Sequence, residues 1–149
     1  FSELHRLALH HPHYWTLKNE RQLAATYTSP PITLKKAVKK ILRWSNDFKI
    51  KNAGTLHGIG GWYSFFTNEQ EFLSTRPPNE LSKELWQNFI FPLAEPLQVQ
   101  PGDSLHFTLN MHREMINAAP IWVWETSLNQ KSIFRQSSFE GMPISQPLL

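Results

Sequence analysis

Cysteine is absent from the 149 residues, which excludes a disulfide scaffold, a zinc ribbon and any thiol catalyst. Charge is scarce: Asp, Glu, Lys and Arg make up 18%, against the usual ~25%. No apolar run approaches the ~18 residues of a membrane-spanning helix. The opening Phe1-Ser2-Glu3-Leu4-His5 lacks the charged, apolar and small regions of a signal peptide. These absences predict a cytoplasmic location and no membrane partner. With 11 prolines, above the ~5% average, a long helical bundle is disfavoured. The chain starts at Phe1 rather than Met, so it is expected to be a piece of something longer.

What remains suits one domain. A chain of this length buries roughly 70% of its unfolded surface and needs no metal to hold it. The net charge of +3 is modest, and Lys35, Lys36, Lys39, Lys40 and Arg43 gather in one stretch. Such a run most simply forms a solvated face. Ten Phe, six Trp and three Tyr raise a second possibility, a barrel that stacks single-stranded nucleic acid on its aromatics. Against it, the aromatics alternate beside aliphatics as a core requires, and nucleic acid is not an expected partner.

Ser29-Pro30-Pro31 divides the chain, because paired prolines suit neither a helix interior nor a central strand. Residues 1–30 form the first part, expected to be a helical arm or linker. One short helix is predicted over 1–10, with Ser2 as N-cap and Pro12 stopping it. A second is predicted over 15–27, anchored by Trp15, Leu17 and Leu23. Residues 31–149 are expected to be mainly β, an antiparallel barrel or sandwich.

Within that part, Phe48 and Ile50 alternate with lysines, and residues 55–66 are rich in glycine and aromatics. Phe72–Thr75, 86–93, 104–112, 120–128 and 132–139 read as strands. Pro101-Gly102-Asp103 has turn chemistry. From 104 to 112, Leu105, Phe107, Leu109 and Met111 point one way and His106, Thr108, Asn110 and His112 the other. Leu34, Ala37, Val38, Ile41 and Leu42 instead have helical spacing. Around Trp122 and Trp124, Ile121 and Val123 leave a strand apolar on both faces, so an interface is expected there.

Four stretches resemble, in order, the C-terminal β-barrel of protein arginine methyltransferases. Leu56-His57-Gly58-Ile59-Gly60-Gly61-Trp62-Tyr63 is similar to a His-Gly and aromatic pair on a barrel strand. Leu73-Ser74-Thr75-Arg76-Pro77-Pro78 resembles Leu-Ser-Thr-x-Pro. Glu84-Leu85-Trp86, with the strand after it and Pro96-Leu97-Gln98-Val99-Gln100-Pro101-Gly102-Asp103, looks like the Thr-His-Trp loop and its following turn. Ser137–Ser145 resembles the closing segment of bacterial members.

The resemblance implies a non-catalytic barrel that walls a substrate groove and supports dimerisation. It also implies a preceding Rossmann domain, missing here, that binds S-adenosylmethionine, a homodimeric parent and a protein substrate. By resemblance Glu84 and Trp86 flank the groove, while His57, Gly58, Trp62, Tyr63, Gly102 and Asp103 are structural barrel residues. It makes 32–38 a strand, against the helical spacing. Leu85 stands where the family has a histidine, and leucine cannot make its hydrogen bond.

Catalytic chemistry is not expected from this chain alone. A cofactor loop needs a glycine turn between a strand and a helix. Gly58-Ile59-Gly60-Gly61 has no helical pattern after it and reads better as close packing at a bend. The chain is therefore expected to bind no cofactor. His5, His10, His11 and His13 bring imidazoles together, but no carboxylate or thiol completes a metal set, so no metal is expected. His57 is expected to be a hydrogen-bonded structural histidine rather than a base. The alternative to the whole scheme is a stand-alone module that binds peptide or single-stranded nucleic acid.

Overall fold

The computed structural model describes residues 8–32, 41–67, 70–77, 87–113 and 119–139. Among them are nine strands: β1 (His13–Trp15), β2 (Ile41–Lys49), β3 (Gly54–Gly61), β4 (Ser64–Thr67), β5 (Gln70–Ser74), β6 (Asn88–Val99), β7 (Ser104–His112), β8 (Ile121–Leu128) and β9 (Lys131–Ser137). All pairings are antiparallel. One sheet runs β1-β6-β3, a second β2-β7-β8-β9, and β4-β5 is a separate hairpin. The expected antiparallel β class holds.

Two buried clusters join the sheets. Ile50, Leu56, Leu93, Val99 and Leu105 form one, and Phe91, Phe107 and Trp124 the other. Each draws on β6 and on β7 or β8, so the inner faces of both sheets share one core. Phe48 and Ile59 pack against both clusters. On β7 the period of two does what it predicts: Leu105, Phe107 and Met111 are buried, with Leu109 half-buried. Fully burying side chains of this size contributes about 1.5–3 kcal/mol each.

The N-terminal arm departs from expectation. Residues 1–7 lie outside the described residues; Ala8 and Leu9 carry helical backbone and the chain turns at His10, ahead of Pro12. The second expected helix is overturned. Residues 13–15 are β1, a single 3-10 turn covers Asn19–Arg21, the backbone on either side of it at Lys18 and Gln22 is extended, and no α-helix forms. Leu17 and Leu23 explain why. Leu17 lies over Gly60 and Leu23 over Gly54, both on β3. Those glycines are six residues apart on a strand, about 20 Å. Six helical residues would span only about 9 Å. An extended arm reaches both glycines, and Lys51 and Asn52 donate their N–H groups to the Leu23 carbonyl.

The helical spacing of 34–42 also gives way where it can be followed. Ile41 and Leu42 open β2, paired with His112 and Met111 of β7. Ladder bonds along nine residues outweigh local helical preference. The implied strand at 32–38 lies, beyond Ile32, outside the described residues.

Candidate functional site

The polar groups that the fold buries join structural elements. Asn88, at the head of β6 and 1% exposed, accepts a hydrogen bond from the Leu17 N–H at 3.2 Å and donates one to the Thr75 carbonyl. Thr75, equally buried, accepts the Tyr63 N–H on its hydroxyl at 3.1 Å and donates its own N–H to the Tyr63 carbonyl at 2.9 Å. The arm, β6 and the β4-β5 hairpin are thus tied through two side chains. This gives the Leu73-Ser74-Thr75 stretch a physical reason, while Asn88 went unnoticed as one polar residue opening an apolar run.

A second tie involves Asp103. Gly102 has φ +95°, which glycine adopts without strain. Asp103 Oδ1 accepts from the Asn129 side-chain amide and Oδ2 from the Gln100 N–H. Asn129 Oδ1 in turn accepts the Ser104 N–H at 2.9 Å. The β6-β7 and β8-β9 turns are clamped together. The Asn129 amide, and after it the Gln100 N–H, hold the Asp103 carboxyl below its ordinary pKa.

The glycine stretch lies inside β3 with no helix after it. At Gly58 the pairing with β6 shifts register, and a Cβ would stand 2.6 Å from the Phe91 carbonyl oxygen. His57, beside this bulge, is exposed. Trp62 and Tyr63 follow β3, half-buried. Burial, and next to it the Tyr14 phenol, raise the Tyr63 pKa above its ordinary value.

Trp122 and Trp124 share the inner face of β8. Trp124 is fully buried and its indole N–H donates to the Pro92 carbonyl at 3.0 Å. The expectation that Trp124 shares in an outer contact is therefore corrected: its ring fills the core, 5.6 Å from Phe91. Trp122 is half-buried, 5.9 Å from the same ring. Glu84, Leu85 and Trp86 lie outside the described residues, as do residues 140–149.

Two surface arrangements carry chemistry. On the outer face of β2 and β7, His106 Nδ1 lies 2.8 Å from Asp47 Oδ1, and its Nε2 lies 3.3 Å from Ser45 Oγ. The order Ser–His–Asp resembles a hydrolytic triad. However, the Asp47 side chain is 71% exposed, so water competes for the carboxylate that would have to hold the imidazole in place. This is a cross-strand polar network.

The other arrangement is a groove of about 380 Å³ along β1, lined by Tyr14, Trp15, Thr16, Lys18, Arg21 and Gln87. Tyr14 is 66% and Trp15 57% exposed. Here two exposed aromatic side chains stand beside two cations, Lys18 and Arg21. Trp15, expected to anchor a helix, instead stands exposed on this groove, and no local pattern in the sequence distinguishes Tyr14.

Among the described residues no group of three His, Cys, Asp or Glu could hold a metal ion. His13 Nε2–H donates to the Ala8 carbonyl at 2.6 Å, and His10 Nδ1 accepts the Ser137 N–H at 3.4 Å. His5 lies outside the described residues. No helix among them is long and apolar enough to cross a membrane.

Comparison with known proteins places this framework. Protein arginine N-methyltransferase 2 of Xenopus tropicalis is 30% identical over 106 residues, 63% of this chain and 24% of its own length. The Mus musculus protein of that name is 32% identical over 65 residues, 40% of this chain and 14% of its own length. The chain thus spans at most about a quarter of these relatives. Both are vertebrate, and neither gives the expected bacterial type any support. A family model described as the PRMT5 oligomerisation domain matches residues 7–142. That match takes in both sheets, the hairpin and the extended arm, and the chain belongs to the PRMT5 oligomerisation domain family.

Proposed function

We propose that this chain is the non-catalytic barrel of a protein arginine methyltransferase-like enzyme, shaping one wall of the substrate groove and supporting self-association. The family match over 7–142 carries this reading. In it, a Rossmann domain elsewhere in a longer cytoplasmic protein binds S-adenosylmethionine and performs methyl transfer to a protein substrate, with the parent working as a homodimer. Glu84 and Trp86 face the groove by resemblance. His57, Gly58, Trp62, Tyr63, Gly102 and Asp103 serve the barrel rather than the reaction. Leu85 in place of a histidine points to an acceptor, or a level of activity, unlike that of the family at large.

The test is calorimetric titration of the isolated chain with S-adenosylmethionine, beside the longer protein encoded by the upstream codons. The expected outcome is no heat from the chain alone and saturable binding by the longer protein. Micromolar binding by the isolated chain overturns the proposal. A stand-alone module for peptide or single-stranded nucleic acid is the second reading, favoured by the aromatic and cationic groove along β1. An initiator Met a few codons before Phe1 would support it.

A further inference from the structure

We infer that the groove beside β1 docks an acidic segment of the protein substrate, which rests on the methyltransferase reading proposed above. The arm's own backbone builds the groove. Leu17 packs over Gly60 and its N–H is held by Asn88, whereas its neighbours Thr16 and Lys18 are exposed. Lys18 is extended, and the 3-10 turn Asn19–Arg21 follows it. The Arg21 N–H closes that turn on the Lys18 carbonyl at 3.1 Å. A turn of this kind sets residues three apart on the same side, so Arg21 comes back beside Lys18. Both cations thereby line one groove of about 380 Å³ with Tyr14, Trp15, Thr16 and Gln87.

The occupant follows from charge. No carboxylate is among the lining residues, and neither Lys18 nor Arg21 forms an ion pair with a described residue. An incoming carboxylate supplies what both cations lack, and a guanidinium holds one through two parallel N–H donors. Tyr14 and Trp15, each more than half exposed, offer ring faces to the side chains between the carboxylates. A basic segment would instead bring like charge against Lys18 and Arg21. A nucleic-acid strand fits less well, because single-strand sites follow the backbone for ~4–16 nucleotides. This groove has two cations and sits at the small end of the ~300–1,000 Å³ range of ligand sites. Its place in the chain ties it to substrate. Gln87 directly follows Glu84-Leu85-Trp86 in the sequence, so the groove adjoins the stretch that faces the substrate in the reading above.

Exposure sets the strength. Lys18 and Arg21 are both open to solvent, so each ion pair made there is screened and contributes little alone. Binding is weak, with a dissociation constant of roughly 0.1–1 mM, and it falls as salt rises. Such a site favours acidic segments as a class rather than one fixed sequence.

The test is fluorescence anisotropy with three short labelled peptides, a tyrosine flanked on both sides by Glu, by Gln or by Lys, and with a labelled oligothymidylate. Each is titrated with the full chain as wild type and as the double variant Lys18→Glu with Arg21→Glu, dichroism confirming that the variant folds. The longer protein encoded by the upstream codons is titrated with S-adenosylmethionine in parallel. The expected outcome is that wild type binds the Glu peptide at least tenfold tighter than the Gln peptide and does not bind the Lys peptide. The double variant should lose at least tenfold for the Glu peptide and gain affinity for the Lys peptide, a gain that misfolding cannot produce. Equal binding of the three peptides, or a charge reversal without effect, overturns the inference. Oligothymidylate bound more tightly than the Glu peptide assigns the groove to nucleic acid and equally overturns it. If the longer protein binds S-adenosylmethionine but the Glu peptide does not bind, the groove inference fails and the methyltransferase reading stands. If the Glu peptide binds as expected but the longer protein takes up no S-adenosylmethionine, that reading fails, and the groove's place beside a substrate fails with it.

Discussion

At Asn129 and Gln130, φ is 50° and 67°, the paired left-handed conformation of a tight hairpin turn. Asn tolerates it and uses its side chain on Ser104 and Asp103. Gln has no such compensation, and a Cβ in this region costs about 1 kcal/mol. Gln130→Gly is expected to raise the melting temperature by about 3 °C for a domain of this size, measured by differential scanning calorimetry. Asp103 makes a pH prediction. Its carboxyl is held below the ordinary value in the folded chain, so its contribution is present above the unfolded pKa and lost as pH falls through the folded one. Asp103→Asn should melt earlier than wild type at pH 6, and the gap should begin to narrow below about pH 4 and close only below the lowered folded value. A constant gap would show that the charge is immaterial. Gly102 and Asp103 were legible in the sequence because Pro-Gly-Asp is turn chemistry in itself. Asn129, its partner 26 residues away, was not, since a hydrogen bond across two turns leaves no local pattern.

Strands were legible where side chains meet two different solvents. Residues 104–112 alternate cleanly and form β7 with those ends. The arm was not, because Leu17 and Leu23 answer to Gly60 and Gly54 on another strand, and local spacing says nothing of that. The same glycines allow a test of what each close approach is worth. A Cβ at Gly58 meets the Phe91 backbone oxygen at 2.6 Å, whereas one at Gly60 meets the ends of the flexible Leu17 side chain at 2.7 and 2.9 Å. Backbone in a ladder cannot step aside, but a leucine tip can rotate. Gly58→Ala is expected to destabilise by about 3 kcal/mol, and Gly60→Ala by no more than about 1, read from urea midpoints. Equal losses would mean that the arm is as rigid as the sheet.

For the molecule as a whole, the family relationship was legible in four short stretches, while which aromatics reach the surface was not. Trp122 and Trp124 stand out by composition, yet Trp124 is core, and the exposed aromatics among the described residues are Tyr14, Trp15, Tyr27, Phe65, Phe66 and Phe139. Apolar residues in a sequence do not announce which side of a sheet they will find. The arm has another consequence, for the order in which the chain becomes native. Gln136 Nε2–H donates to the Leu9 carbonyl at 2.6 Å, and the Ser137 N–H reaches His10, each across 127 residues. Closing a loop of that length costs about 4 kcal/mol of chain entropy, whereas β8 and β9 meet across a two-residue turn. On a ribosome the arm leaves ahead of the rest of this domain: Leu23 and Leu17 gain their partners with β3, β1 gains its own with β6, and Leu9 and His10 gain theirs only with β9. The part of this domain that is made first is thus among the last to settle, since the bonds from Leu9 and His10 to β9 form only once nearly all of the domain has been made.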